Sequence, residues 1–344
     1  DGSCTFTAMS AAPDAAPDAA RDAVAAAADR LFAADAPHGV SLALVVRHRG
    51  EVVFERYGHQ PDTVFGPGGP VDADTTLISW SMAKSITQAA LGVAVADGLL
   101  DVDAPAPVPE WRGTDREPIT LLQLLEMRSG LQFVEDYVDD AVSHCLEMLY
   151  GAGKDDVAGY AASLPLEHRP GTVWNYSSGT TNIISRCIGQ AVGGGREGME
   201  AFLHDRILGP AGMTSAVPKF DDAGTFIGSS YVFATARDFA RFGQVYLDGG
   251  VVGGRRVVPE GWCDLARTQA AFDDVEQLGY GRHWWLWPQY AGSLACHGYE
   301  GQYTLVVPDR DLVVVHLGKS PEATRRPLRD EMERIVDAFA SEPV

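Results

Sequence analysis

A serine and a lysine three residues apart, Ser81-Met82-Ala83-Lys84, stand at the head of a largely small and apolar run from Ile86 to Val95, and no other feature constrains the fold of this chain as tightly. The run reads as a helix, and residues at that spacing share a helix face, so the lysine nitrogen can lie beside the serine hydroxyl. A serine hydroxyl attacks a carbonyl only when a neighbouring base takes its proton, and a buried lysine can be that base. The helix start adds free N–H groups and the positive end of the dipole, which favour an alkoxide and the oxyanion that follows. Ser-x-x-Lys arises by chance about once in an average chain of this length, so the surrounding composition matters. Of 27 basic residues only Lys84, Lys154, Lys219 and Lys319 are lysines, and only Lys84 follows a serine at this spacing. Arginine keeps its proton in a protein whereas lysine can release it, so a lysine here fits an acid–base role.

The 344 residues, 46% of them hydrophobic, suffice for one large domain or two interleaved lobes. A formal charge of −20 argues against nucleic acid and against an anionic membrane, both of which demand basic patches. Cys4, Cys145, Cys187, Cys263 and Cys296 are scattered without Cys-x-x-Cys spacing, which indicates neither a disulfide framework nor a zinc site. Free thiols lead to the expectation of a cytoplasmic protein, with a leader removed beforehand left open. No stretch has the length of a transmembrane helix. Nothing demands a partner chain, and a homodimer stays open.

Residues 1–18 read as a loose arm, followed by an alanine-rich helix pattern from Ala19 to Ala34. Alternation from Gly39 to Tyr57 predicts a two-stranded hairpin turning at His48-Arg49-Gly50-Glu51. Helical patterns dominate from Thr76 to about Ile207, strands return at Tyr303 to Val307 and Leu312 to Leu317, and a helix closes the chain from about Glu322 to Ala340. The order implies an α/β fold: an antiparallel sheet flanked by the N- and C-terminal helices, with a helical lobe inserted between its halves. The expected division is 19–75 with 208–344 as the sheet lobe and 76–207 as the helical lobe carrying Ser81. A cleft between them is the natural site.

Several motifs fail on inspection. Gly318-Lys319-Ser320 imitates the end of a phosphate-binding loop, but Val313 occupies the place of its first glycine. No Gly-x-Gly-x-x-Gly opens a helix after a strand, and Gly193 to Gly195 follow a helix and look like its cap, so no dinucleotide is expected. No Gly-x-Ser-x-Gly elbow and no His-Glu-x-x-His occur, and the pairs His144-Cys145 and Cys296-His297 point to opposite faces if in strands. No metal and no cofactor is expected. Two further segments remain. Asn175-Tyr176-Ser177-Ser178-Gly179 precedes a helix expected from about Thr181 to Val192; Tyr176 could carry a proton, its phenol made more acidic by an ammonium nearby, and Ser178 could relay it. His297-Gly298-Tyr299-Glu300-Gly301-Gln302 precedes the Tyr303 strand, where glycines would admit a substrate close to the sheet edge.

Together the three segments resemble the serine β-lactamase and penicillin-binding protein superfamily, in particular the class C-like branch with family VIII carboxylesterases, D-amino-acid peptidases and 6-aminohexanoate-dimer hydrolase. Ser81-Met82-Ala83-Lys84 stands as Ser-x-x-Lys, Tyr176-Ser177-Ser178 as Tyr-x-Asn or Tyr-x-Ser, and His297-Gly298-Tyr299 as the Lys-Thr-Gly equivalent. Met127 to Leu131, Pro170 to Ser178 and Gly301-Gln302-Tyr303 look like this branch too. The resemblance implies a β-lactamase/transpeptidase-like fold and a two-step acyl transfer. Ser81 would form the acyl-enzyme, with Lys84 and Tyr176 as base and acid and Ser178 in support. The N–H groups of Ser81 and of Tyr299 or Glu300 would hold the oxyanion.

Two departures bear on substrate: Ser178 stands where class C β-lactamases carry asparagine, and His297 where they carry the lysine that helps bind a substrate carboxylate. Histidine is largely neutral at pH 7. Glu135, Asp136, Tyr137, Asp139 and Asp140 would overhang the cleft and attract an amine. Trp80, Trp174, Trp284, Trp285 and Trp287 supply either an apolar acyl pocket or core. The expected function is hydrolysis of linear amides or short esters, with 6-aminohexanoate oligomers as candidate substrate. The rivals are a carboxylesterase, a class C-like β-lactamase or D-alanyl peptidase, and a penicillin-recognising binding module that is acylated without turnover.

Overall fold

A computed structural model of the chain describes residues 18–63, 66–137 and 142–340. The expected arm, apart from Asp18, lies outside the described residues, as does Cys4. Strands β1 (Val40–His48) and β2 (Glu51–Tyr57) form the N-terminal hairpin. Its two turn residues, Arg49 and Gly50, both have positive φ, 52° and 78°, the turn geometry whose twist matches that of the strands.

The C-terminal part supplies β3 (Ala271–Asp273), β4 (Leu278–Tyr280), β5 (Trp285–Leu286), β6 (Leu294–Gly298), β7 (Gln302–Val307) and β8 (Leu312–Lys319). They join the hairpin in one antiparallel sheet of order β3-β4-β5-β6-β7-β8-β1-β2. Both faces of its centre are buried, which explains why β1 and β8 read as nearly continuous valine and leucine. Helices α1 (Asp18–Leu31) and α6 (Arg325–Asp337) cover one face: Val24, Ala28, Leu328 and Met332 meet Leu44, Val46, Leu305 and Val314 there. Val45, Val306, Val313 and Val315 point the other way, into the larger core.

That larger core holds α2 (Ala83–Ala96), whose residues from Ala83 to Ala94 are all buried, α4 (Ser178–Val192) packed against it, and α5 (Ala236–Leu247) under the sheet. A short helix α3 (His144–Tyr150) borders the cleft. Helix α4 starts three residues earlier than its sequence pattern predicts, because Ser177 is the cap: its hydroxyl accepts from the Thr180 N–H at 3.2 Å. Cys145, Cys187, Cys263 and Cys296 are buried free thiols. Among the described residues no helix is long and apolar enough to cross a membrane.

Candidate active site

Ser81 sits in a single tight turn, Trp80–Met82, that feeds into α2. The turn is anchored one residue upstream. Ser79 donates its N–H to Val232 O at 2.8 Å and its hydroxyl to Ser230 O at 3.2 Å. On the other side the backbone of β6 closes on Ser79: a Cβ at Gly298 would meet Ser79 O at 2.4 Å. The sequence reading gave the bareness of Gly298 to an approaching substrate; the Ser79 backbone uses it instead. Trp80 adopts φ 43°, a left-handed value that bulky residues rarely take, immediately before Ser81.

Lys84 lies one helical turn along and is 2% exposed. Three polar atoms surround its nitrogen: Ser81 Oγ at 2.8 Å, Ser178 Oγ at 2.9 Å and Ser229 O at 3.0 Å, so an amine here can take a proton from Ser81 and still find an acceptor for each of the three it then carries. Ser178 arrives at the first turn of α4 and passes the connection on. Its hydroxyl donates to Glu135 Oε1 at 2.6 Å and its N–H to Glu135 Oε2 at 2.7 Å, while Tyr137 donates to Glu135 Oε1 at 2.6 Å. Ser81, Lys84, Ser178 and Glu135 thus form one hydrogen-bonded chain that ends on a half-buried carboxylate in the wall of the same cleft. The sequence reading missed the part played by Glu135, which it assigned only to an overhanging acidic loop. Asp139 and Asp140 of that loop lie outside the described residues.

Tyr176 lines the same cleft, with Lys84 Nζ 5.0 Å from its ring centroid. The sequence reading expected the ammonium to make this phenol more acidic. Burial outweighs that pull and, with the Glu135 charge adding to it, raises the phenol above its usual value, so Tyr176 holds its proton at neutral pH. His297, on β6, stacks on Trp285 with centroids 5.2 Å apart and accepts the Trp287 indole N–H on Nε2 at 2.9 Å. Burial, reinforced by Arg329 and Arg325, holds it well below the ordinary histidine range, so the ring is neutral and its proton sits on Nδ1. Tyr299 follows Gly298 at the strand edge and packs on Trp80 and Tyr137 at 5.9 and 4.8 Å between centroids. Of the tryptophans, Trp284 and Trp287 are core, and Trp285 faces the cleft.

The cleft over Ser81 encloses about 280 Å³ between Glu135, Tyr137, Tyr176, Trp285, His297 and Tyr299. A buried lysine beside a serine at a helix start, a proton-bearing phenol across from it and a strand edge alongside are what acyl transfer to a serine requires.

The β-lactamase family model matches residues 28–337, and the chain belongs to that family. It is a serine hydrolase of the β-lactamase/transpeptidase-like fold. Among curated proteins it is similar to 6-aminohexanoate-dimer hydrolase of Paenarthrobacter ureafaciens, 28% identical over 306 residues that span 83% of this chain and 74% of that one. Among solved structures its fold matches a family VIII carboxylesterase (TM-score 0.67, 16% identity, 92% of this chain and 97% of that one). It also matches the octameric penicillin-binding protein homologue from Pyrococcus abyssi (TM-score 0.67, 17% identity, 91% and 76%).

Proposed function

We propose that this protein hydrolyses linear amides whose leaving or acyl portion carries a free amine, of the 6-aminohexanoate-oligomer kind. The observation that carries the reading is the charge of the cleft. Glu135, Asp273, Glu276 and Glu322 line it, and Arg325, which lines it too, is already paired to Glu276 at 2.8 Å and to Glu322 at 2.9 Å. A neutral His297 offers no cation for a substrate carboxylate. An ammonium is therefore the charged group this cleft favours. The similarity to 6-aminohexanoate-dimer hydrolase supports the same reading.

In this mechanism Ser81 Oγ attacks the carbonyl carbon while its proton passes to Lys84 Nζ. The tetrahedral oxyanion rests against the Ser81 N–H and an N–H of the Tyr299-Glu300 edge. As the C–N bond breaks, the departing nitrogen takes the Tyr176 proton, and the phenolate recovers one from Lys84. Water then attacks the ester carbonyl, its proton leaves through the same groups, and Ser81 is regenerated.

Short esters are a second reading, favoured by a small apolar pocket of about 100 Å³ beside Ser81 and Ser178 that includes Cys145, Leu146 and Leu149. The test is release of 6-aminohexanoate from its linear dimer, run beside the N-acetylated dimer and with Ser81→Ala in parallel. Cleavage of the free-amine dimer, slower cleavage of the acetylated one and none by Ser81→Ala are expected. Equal rates on both dimers would remove the amine from the argument, and full activity of Ser81→Ala would remove the nucleophile. Fast nitrocefin turnover without dimer cleavage would make the protein a β-lactamase, and stable β-lactam adducts without product a binding module.

A further inference from the structure

We propose that Trp80, Tyr150 and Tyr231 form an aromatic wall that sets how long an aliphatic chain can lie beside Ser81, by closing the small pocket there from a larger apolar cavity behind it. The inference rests on Ser81 as the acylated residue and adds a determinant of substrate length. Trp80 and Tyr150 line both spaces. On the near side is the pocket of about 100 Å³ next to Ser81. On the far side a cavity of about 390 Å³, mostly apolar in lining, is framed by Leu42, Leu77, Ile78 and Phe233. The wall is built from linked side chains. Tyr231 donates to the Tyr150 hydroxyl at 2.8 Å across the boundary, and the Trp80 ring lies 5.8 Å from that of Tyr231. Tyr150 comes from the last residue of α3 and is half exposed, so it closes the wall without being held by the core.

The near pocket is small, a few methylene-sized groups at most, and the far cavity has roughly four times its volume. A chain of two to four carbons fits in front of the wall, and a longer one meets it. The far cavity is sizeable, mostly apolar and adjacent. Removing the Tyr150 ring joins the two spaces, after which each further buried methylene strengthens binding about fourfold, the equivalent of about 0.8 kcal/mol.

The experiment is the chain-length profile of kcat/KM on p-nitrophenyl esters from acetyl to decanoyl, for wild type, Tyr150→Ala, and Tyr150→Ala combined with Ile78→Trp. Wild type is expected to peak at butyryl or below. Tyr150→Ala should gain at least about tenfold on the octanoyl ester relative to the acetyl ester, the gain expected from two additional buried methylenes. Refilling the far cavity with Ile78→Trp should cancel that gain. Parallel profiles for wild type and Tyr150→Ala, or a wild type that already prefers octanoyl, overturn the wall while leaving the hydrolase reading intact. No ester turnover by wild type at any length overturns this inference together with the ester reading.

Discussion

Replacing Glu135 by glutamine keeps the shape of the side chain and removes its charge, which isolates what the carboxylate does at the end of the Ser81-Lys84-Ser178 chain. Glu135 takes two bonds from Ser178 and one from Tyr137. A glutamine oxygen can still accept the Ser178 N–H, but its NH₂ then faces a hydroxyl oxygen that already receives a proton from Lys84, and the Ser178 proton loses its acceptor. Two hydrogen bonds in series put Glu135 roughly 5 Å from the Lys84 nitrogen, where unit charges at an effective dielectric of about 20 attract by about 3 kcal/mol. That attraction acts when Lys84 has taken the Ser81 proton, so its loss falls on the transition state. Glu135→Gln should lower kcat by about 30- to 150-fold, the equivalent of about 2 to 3 kcal/mol, with KM little changed. The assay is steady-state hydrolysis of whichever amide or ester the wild type cleaves, with a melting curve to show that the variant is folded. A raised KM with kcat intact would mean that Glu135 binds the substrate amine and plays no part in proton transfer. A variant within about twofold of wild type in both would refute the reasoning entirely.

Gly298→Ala would press a methyl carbon into the Ser79 carbonyl, 2.4 Å away before relaxation, and so push the turn carrying Ser81 off β6; activity should drop by more than about tenfold while the melting temperature moves by only a few degrees, since the large cores are untouched. Acid should destabilise the fold early. Burial lowers His283 to about 3 and His316 to about 4, so between those values and about 6.5 the unfolded chain binds protons that the folded one refuses, and stability falls as pH falls. The two together should cost about 5 kcal/mol between about pH 7.5 and 4.5, read as a lower urea midpoint; a midpoint that is flat or rises towards acid would contradict it. Trp287→Phe removes the N–H that holds His297 Nε2 and should alter KM more than melting temperature, measured as a KM-against-kcat split on the same substrate.

The parts of the fold visible in the sequence are those specified by neighbours along the chain. Val45, Val46, Val313, Val314 and their neighbours announce two hairpins by strand-type residues around turn residues, and Ser81 with Lys84 announces itself by a spacing that one helix turn enforces. What was not visible depends on partners far apart. Strands β3, β4 and β5 are two or three residues long, too short for any periodicity, and exist because β6 offers an edge. The start of α4 lies three residues ahead of the expected Thr181, because Ser178, Gly179 and Thr180 carry little helix pattern of their own and the cap bond accepted by Ser177 sets the start. Glu135 lies 43 residues from the serine it serves, and the third Lys84 acceptor is the carbonyl of Ser229, 145 residues away, a group every residue type possesses. The acidity of Tyr176 was misjudged for the same kind of reason: the charge beside it was legible, but the burial around it was not.

The two segments to which the proposed mechanism gives the oxyanion also carry strained backbone. Trp80 at φ 43° precedes Ser81, and Glu300 at φ 62° follows Tyr299. Each costs of order 1–3 kcal/mol and persists only where the surroundings overdetermine it. Here the surroundings bind the strained residues to each other. The Trp80 indole donates to Glu300 Oε2 at 3.1 Å, Lys319 pairs with the same oxygen at 2.6 Å, and the Glu300 carbonyl accepts the Ser320 N–H at 3.0 Å. Lys319 and Ser320 lie at the end of β8, the strand that joins the C-terminal part of the sheet to β1. The geometry of the serine turn is therefore fixed through the sheet, which explains why a nucleophile carried at the start of a helix depends on strands more than two hundred residues away. It also explains why position 300 is an acid: Glu300 accepts from an indole and a lysine at once.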